Sequence, residues 1–351
     1  MSEPAPSRAN NFDALRLVAA VTVIFSHSFF IADGNENHEP LILLSGRQSI
    51  LGLAGVFVFF TISGFLVTQS FVETRSPWRY LVKRCLRIFP GLILALVLSA
   101  FVLAPLVTTL PLAEYLRHAE PYRYVFWNTL LNVRQHELPG TMFVDNPVGL
   151  EVNGSLWTLR YEFEMYLMVM ALGMLGLLRL PVLLAVLALG LGCIGIPALD
   201  VLGGWGWLLS FFAIGMVLYR LRGTRIFNRW VALVALIGLV ATVRFGGFIQ
   251  WFSLFGGYLA IWLALNPRLP VLRAARFGDL SYGLYIYGWP SEAAAIWLMK
   301  GHAQWWQVCG AALPLAAALA FLSWHLVERP ALSLKPRGAR PSAIPEAAAA
   351  Q

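Results

Sequence analysis

The stretch DALRLVAAVTVIFSHSFF, residues 13–30, is apolar over most of its length and begins a run that is long enough to cross a bilayer as a helix. Two ionisable side chains interrupt it: Arg16 near its start and His27 well inside it. A separation of eleven residues on an α-helix corresponds to about 16 Å along the axis and about 20° around it. Both side chains therefore project from one face of the predicted helix, at different depths.

Placing such groups inside a membrane is costly, since an arginine at a helix centre costs about 2.5–3.5 kcal/mol on insertion scales. Ionisable residues in these positions usually face the protein interior and often mark a functional site. Each residue alone also has a structural explanation. Arg16 can anchor the helix at the lipid headgroups, and His27 can be a hydrogen-bonded core residue. The spacing alone does not separate these alternatives.

The composition as a whole is that of a polytopic membrane protein rather than a soluble enzyme. The 351 residues are 58% hydrophobic and 13% charged, whereas about 25% of residues are charged in an ordinary soluble domain. A cleaved signal peptide is the alternative for the first apolar run. Its hydrophobic region would be only about 7–15 residues long, whereas this run extends to Ala32. We therefore expect an uncleaved first helix.

Apolar runs of about 20 residues predict an all-α protein with about ten transmembrane helices. The predicted spans are 13–33, 50–71, 88–108, 155–178, 180–199, 205–220, 229–246, 248–266, 279–299 and 305–327. With both termini in the cytoplasm, 18 of the 26 Lys and Arg residues fall on the inner side and six on the outer side. This bias also accounts for the net charge of +8 without a nucleic-acid partner.

The same pattern gives the predicted domain organisation. Residues 1–12 form a cytoplasmic segment, 13–328 form the transmembrane domain with 109–154 as an outer-face loop, and 329–351 form a Pro/Ala-rich cytoplasmic tail that we expect to be disordered. The three cysteines are widely spaced and include no CxxC pair, so we expect neither a disulfide framework nor a metal site.

Six stretches resemble, in order, the signatures of one family, the integral-membrane acyltransferase-3 proteins, which O-acylate glycans and other acceptors. They are RLVAAVTVIFSH (16–27), with the family's arginine, ten residues and histidine, GVFVFFTISGFLV (55–67), KRCLRIFP (83–90), SLWTLRYEFEMY (155–166), SYGLYIYGWP (281–290) and LVERP (326–330). The resemblance extends from about residue 11 to 332.

The resemblance implies a multi-pass protein of the bacterial inner membrane, with 109–154 as a periplasmic loop. It implies transfer of an acyl group, most simply acetyl, from cytoplasmic acyl-CoA to a hydroxyl of a glycan or lipid-linked glycan. Acetyl-CoA would be a co-substrate, and no cofactor would be bound permanently. The oligomeric state is left open.

Two departures from the family pattern matter. Gly288 and Trp289 precede Pro290, where many relatives have a histidine, so this position supplies no second imidazole. We also expect no extracytoplasmic hydrolase-like domain after the last span, so that a relay through such a domain would need another protein.

His27 and Glu162 are the candidate catalytic residues. An imidazole with an ordinary pKa of about 6.5 can accept the proton of an acceptor hydroxyl, or can carry the acyl group itself. Glu162 can orient His27, hydrogen-bond the acceptor, or simply pair with Arg160.

The candidate acyl-CoA ligands are basic. Charge-assisted contacts with phosphate suit these side chains, and ordinary inner-side charge is the alternative explanation. They are Arg16, Lys83, Arg84 and Arg87. The candidates for acceptor binding or for lining a pore are Trp157, Tyr166, Ser281, Tyr282 and Tyr285, with interfacial aromatic and packing roles as the alternatives.

Two other functions are considered. A proton-coupled transporter or flippase could use His27 and Glu162 as a relay, but the sequence has no obvious inverted pair of broken helices. A membrane scaffold would leave the alignment of Arg16 and His27 unexplained.

Overall fold

The computed structural model describes residues 10–74, 76–132, 138–140, 143–148, 151–195, 204–272 and 274–335. Within these ranges the chain is all-helical, as predicted, and contains no β-strand. The helices are α1 Phe12–Asp33, α2 Pro40–Leu44, α3 Leu51–Thr74, α4 Pro77–Val107, α5 Leu112–Tyr115, α6 Glu120–Thr129, α7 Trp157–Met174, α8 Leu180–Gly195, α9 Gly204–Leu221, α10 Arg229–Phe245, α11 Phe248–Leu265, α12 Ser281–Leu298 and α13 Trp305–Ser333.

Each of the ten predicted spans overlaps one of these helices. Six of the helices are long and apolar enough to cross a membrane: α1, α3, α4, α9, α11 and α13. Of the other four, α8 and α10 are shorter than 18 residues, and α7 contains three charged residues. The number of ten spans and the cytoplasmic position of both termini remain predictions.

Several predicted boundaries differ from those of the structure. Helix α4 starts at Pro77 and not near residue 88, because Ser76 accepts a hydrogen bond from the backbone N–H of Arg79 and Pro77 suits a first helical turn. Several basic residues follow Pro77. They lower the mean hydropathy of this part of the chain, but Lys and Arg are compatible with a helix. Helix α13 continues to Ser333, five residues into the predicted tail. Residues 1–9 and 336–351 lie outside the described residues.

Helix α12 is the most enclosed element of the bundle. Fifteen of its 18 residues are buried, and it packs against α1, α4 and α13. Because protein rather than lipid surrounds it, it contains tyrosine, serine and glycine and is less apolar than the six helices above. Helix α1 lies among α3, α12 and α13, so its ionisable face can be turned to protein.

A proline in the middle of α12 fixes the segment that leads into α7. Pro290 has no N–H, so the carbonyl of Ile286, four residues earlier, lacks its helical donor. The side chain of Asn153 donates to that oxygen at 2.8 Å, and the indole N–H of Trp289 donates to the carbonyl of Glu151 at 3.1 Å. The end of the loop 109–154 is therefore attached to α12 at its kink.

Two glycines let α3 and α9 pack with their backbones almost in contact. A Cβ on Gly64 would overlap the carbonyl oxygen of Phe212, and a Cβ on Gly215 would overlap that of Thr61. Small residues at such crossings are typical of membrane helices, where close packing replaces the hydrophobic effect as the source of stability.

We expect Gly64→Ala to lower the unfolding free energy by about 1–3 kcal/mol, because the added methyl group forces the two helices apart. Gly310→Ala on α13 is the matched control, since a Cβ there meets no atom within 4 Å. Thermal unfolding in detergent measures both variants. Equal melting temperatures for the two would contradict the close packing of α3 and α9.

Candidate functional site

A partly open cavity of about 80 Å³ lies between α1, α3, α4, α7 and α12. Its polar lining at one end consists of Arg16, Arg84 and Arg87. Farther from these arginines, Ser63, Glu162, Thr158 and Tyr285 line it. A space of this size holds several water molecules or a slim chain, but not a bulky ligand.

Two arginines of the cavity share one carboxylate oxygen. Arg16 Nη1 lies 3.0 Å from Asp279 Oδ2, and Arg87 Nη2 lies 2.7 Å from the same atom. Arg87 Nη1 is also 3.9 Å from Glu328 Oε2, and its guanidinium lies 5.5 Å from the centre of the Tyr282 ring. The three ion-paired contacts connect α1, α4, α13 and Asp279, which lies two residues before the start of α12. All four side chains are less than one-fifth exposed.

The remaining cations at this end have no carboxylate partner in the described part of the chain. Lys83 donates to Thr74 Oγ1 at 2.8 Å, and Arg84 approaches Ser70 Oγ at 3.4 Å and the Tyr166 ring at 5.8 Å. Burial, together with the charges of Arg84, Arg87 and Lys83, lowers the pKa of Lys335 below its ordinary value. We call this set of five cations the basic end: Arg16, Lys83, Arg84, Arg87 and Lys335.

The basic end carries an excess of positive charge. Three carboxylates lie near the five cations, those of Asp13, Asp279 and Glu328. An excess of cations with open N–H donors is the electrostatic signature of an anion-binding site, and guanidinium groups match phosphate well. Lys335 is a member that the sequence analysis missed, because it lies in a segment predicted to be a disordered tail.

Glu162 lies on the cavity wall, and Arg160 is not its partner. Its Oε1 accepts hydrogen bonds from Ser63 and from Tyr166. Arg160 instead pairs with Glu164 at 2.8 Å on the exposed side of α7. This removes the simplest structural explanation for Glu162 and leaves a carboxylate facing the cavity.

The five candidate acceptor-binding residues do not share one environment. Tyr166, Tyr282 and Tyr285 line the cavity. The hydroxyl of Tyr282 donates to the carbonyl of Ile88 at 2.8 Å, and the hydroxyl of Tyr285 is hydrogen-bonded to Thr158 Oγ1 at 2.7 Å. Ser281 donates to Asp279 Oδ1 at 2.7 Å and so orients that carboxylate. Trp157 packs against Trp207, with ring centres 6.0 Å apart, and is not among the lining residues.

His27 contacts α12, and Arg16 contacts Asp279, two residues before α12, so the ionisable face of α1 is turned to protein. The imidazole packs edge-on against Trp289, with ring centres 5.1 Å apart, and its Nδ1 lies 3.8 Å from Glu292 Oε2. His27 is not among the residues that line the cavity. Tyr285 lines it, and Trp289 stands one turn farther along α12.

The carboxylates Asp279 and Glu292 are the main functional candidates that the sequence analysis missed. A signal for Glu292 was present, since it is the single acidic residue of α12, and a lone acid in a membrane helix is a functional-site hypothesis by default. The sequence signal for Asp279 was weaker, because this residue lies at the predicted start of a span, where charged residues are common.

The fold and the site together define a multi-pass membrane protein with a slim cavity that is lined by cations at one end. The family model described as "Acyltransferase domain", that of the acyltransferase-3 family, matches residues 10–327. The chain therefore belongs to this family of membrane acyltransferases.

Two relatives match nearly the whole chain. It is 27% identical to a protein named "O-acetyl transferase" from Shigella phage Sf6, over 92% of this chain and 96% of the relative. It is 30% identical to "Nodulation protein 10" of Rhizobium leguminosarum bv. viciae, over 95% of this chain and 96% of the relative. No solved structure matches the chain.

Removing the shared carboxylate should leave two neighbouring cations uncompensated. We expect Asp279→Ala to lower the unfolding free energy by about 3 kcal/mol, as does the loss of one partner from other buried ion pairs. Glu164→Ala, which removes the partner of exposed Arg160, is the matched control and should cost less than about 1 kcal/mol. Thermal unfolding in detergent checks both, and a larger loss for Glu164→Ala would contradict the role assigned to Asp279.

Proposed function

We propose that this protein is an O-acetyltransferase of the bacterial inner membrane. It transfers acetyl from cytoplasmic acetyl-CoA to a hydroxyl of a cell-surface or exported glycan, or of its lipid-linked precursor. The observation that carries the proposal is that Arg16, Arg84 and Arg87 lie together at one end of a slim cavity in a chain of the acyltransferase-3 family. The name of the phage relative, "O-acetyl transferase", supports acetyl as the group transferred.

The donor site is the basic end. Coenzyme A carries its charge in phosphates at its nucleotide part and its thioester at the end of a thin pantetheine arm. The five cations bind the phosphates, and the cavity is too narrow for the nucleotide but suits the arm. Arg16 and Arg87 release part of their interaction with Asp279 when phosphate oxygens take its place.

The reaction centre is His27, which lies beyond the end of the cavity. Tyr285, held by Thr158, lines the cavity, and Trp289, one turn farther along α12, packs edge-on against the imidazole. The arm reaches His27 when these aromatic side chains move apart. The arrangement keeps water from the thioester until an acceptor is present.

The chemistry is a direct acyl transfer with His27 as general base. The imidazole takes the proton of the glycan hydroxyl, the oxygen forms a bond to the acetyl carbonyl carbon, and the carbon–sulfur bond of the thioester breaks. The imidazolium then protonates the thiolate, which yields the O-acetyl glycan and coenzyme A. Transient acetylation of His27 itself is the alternative mechanism, which experiment must distinguish from this direct transfer.

The role of Glu162 follows from its place on the cavity wall. Glu162, fixed by Ser63 and Tyr166, contacts the arm or the acceptor through its remaining oxygen. Its hydrogen bonds are made inside the cavity, and the carboxylate beside His27 is that of Glu292.

His27→Ala should lower the rate of acetyl transfer by about 10²–10⁴-fold, the range for loss of a general base. The assay uses purified protein, radiolabelled acetyl-CoA and surface polysaccharide extracted from a deletion strain, whose missing modification is identified by mass spectrometry. His118→Ala, at an exposed histidine beside Glu120, is the control and should keep full activity. Accumulation of glycan in proteoliposomes without any acetylated product would instead indicate a transporter or flippase.

Arg84→Ala should raise the KM for acetyl-CoA by about 10-fold or more, because one charge-assisted contact with phosphate contributes about 1.5–3 kcal/mol. Arg84 is preferred to Arg87 for this test because its loss leaves no carboxylate unpaired. Arg79→Ala, on the same helix but not on the cavity wall, should leave the KM unchanged. An unchanged KM in Arg84→Ala would remove this side chain from the donor site.

A further inference from the structure

Glu292 is a carboxylate in the interior of the bundle, with a side chain that is 0% exposed. Its Oε1 lies 2.8 Å from the hydroxyl of Ser28, the residue that follows His27 on α1. That hydroxyl is also 3.0 Å from the carbonyl of Ile24 and contacts the Cys309 thiol of α13. Burial of a carboxylate is costly unless it has strong partners, so its retention at this place calls for an explanation.

The second oxygen of Glu292 and one nitrogen of His27 are both unpartnered and face each other. Glu292 Oε2 and His27 Nδ1 are buried atoms without a hydrogen bond, and they are 3.8 Å apart. Leaving a buried donor or acceptor unsatisfied costs about 1–3 kcal/mol for each group. Hydrogen bonds between catalytic groups are often long in a structure without substrate and shorten when it binds. A side-chain movement of about 0.6–1.1 Å would bring these two atoms to hydrogen-bond distance.

The other neighbours of His27 leave Nδ1 no different partner. Trp289 packs edge-on against the ring and is itself fixed through its bond to the carbonyl of Glu151. Glu162 lies on the wall of the cavity, which His27 does not line, and its Oε1 accepts from Ser63 and Tyr166. In the described part of the chain, Glu292 is thus the carboxylate placed to control the orientation and tautomer of the imidazole.

We propose that Glu292 is the positioning residue of His27. Its Oε2 accepts the Nδ1–H of the imidazole, which leaves the lone pair on Nε2 to take the proton of the acceptor hydroxyl. The same oxygen then stabilises the imidazolium that forms before the thiolate is protonated. The logic is that of a base oriented by a third group. The inference rests on the proposed function of His27, but the contact between the two side chains can be tested without it.

Glu292→Gln keeps the shape of the side chain and its contact with Ser28 but presents an amide N–H₂ to Nδ1. This change favours the opposite tautomer, with the proton on Nε2. We expect kcat to fall by about 10²-fold or more, as expected when a base is held in the wrong tautomer. The KM for acetyl-CoA should stay within about twofold, because the donor phosphates bind at the basic end. Glu292→Asp should recover part of the lost kcat.

Glu164→Gln is the matched control, since it makes the same chemical change at an exposed carboxylate of α7. Its kcat and KM should equal those of the wild type. A wild-type kcat in Glu292→Gln would overturn the proposal. So would a rise in the KM for acetyl-CoA as large as the fall in kcat/KM, because it would place Glu292 in substrate binding instead.

A spectroscopic measurement separates this inference from the proposed function. In protein labelled with ¹⁵N-histidine, the six histidines give a small set of signals, and that of His27 is the one absent from His27→Ala. We expect the Nδ1–H tautomer in the wild type and the Nε2–H tautomer in Glu292→Gln. An Nε2–H tautomer in the wild type would overturn the contact even if Glu292→Gln fails to fold. Full activity of His27→Ala with the expected tautomers would refute the proposed function and leave the contact standing.

Discussion

The carboxylate of Asp279 is the point on which the arrangement of the cavity depends. Helices α1 and α4 each bring an arginine to it, and neither arginine has another carboxylate as close. In an apolar surrounding, a charge without a partner is expensive, whereas two cations around one anion leave a positive excess that solvent or a ligand anion can balance. The carboxylate of Asp279 therefore holds together the helices that carry Arg16 and Arg87, but it does not fully neutralise the charges of the two arginines.

The site is divided along α12 into two regions with different chemistry. Near Ser281, basic side chains and tyrosine rings surround a space that is open to a slim ligand. Two turns farther on, around Trp289 and Glu292, the side chains are buried and polar atoms remain unpartnered. A single helix thus contributes to both regions, so that a shift of α12 at Pro290 affects the binding of charge at one end and the geometry of the imidazole at the other.

The sequence was sufficient for the parts of the structure that follow from local pattern. The apolar runs predict the helices, and the spacing of Arg16 and His27 predicts that they share a face of α1. It was insufficient for the partners of these residues, because Asp279 and Glu292 meet them only through the packing of distant segments. The same limit explains Glu162, which is near Arg160 in sequence but turns to Ser63 of α3. The start of α4 was placed too late because hydropathy locates the apolar part of a helix, whereas the helix itself can begin in the polar residues before it.

The attachment of Asn153 to the carbonyl left free by Pro290 has an evolutionary consequence. The outer stretch is joined to the bundle at further points, because Tyr115 donates to the carbonyl of Ala100 on α4 and Asn146 donates to that of Ala293 on α12. Insertions and deletions beside these contacts would disturb the packing of the bundle, so variation is tolerated best at exposed side chains such as Tyr122 and Phe126. Related proteins can in this way change the outer surface of the stretch while its attachments to α4 and α12 stay the same.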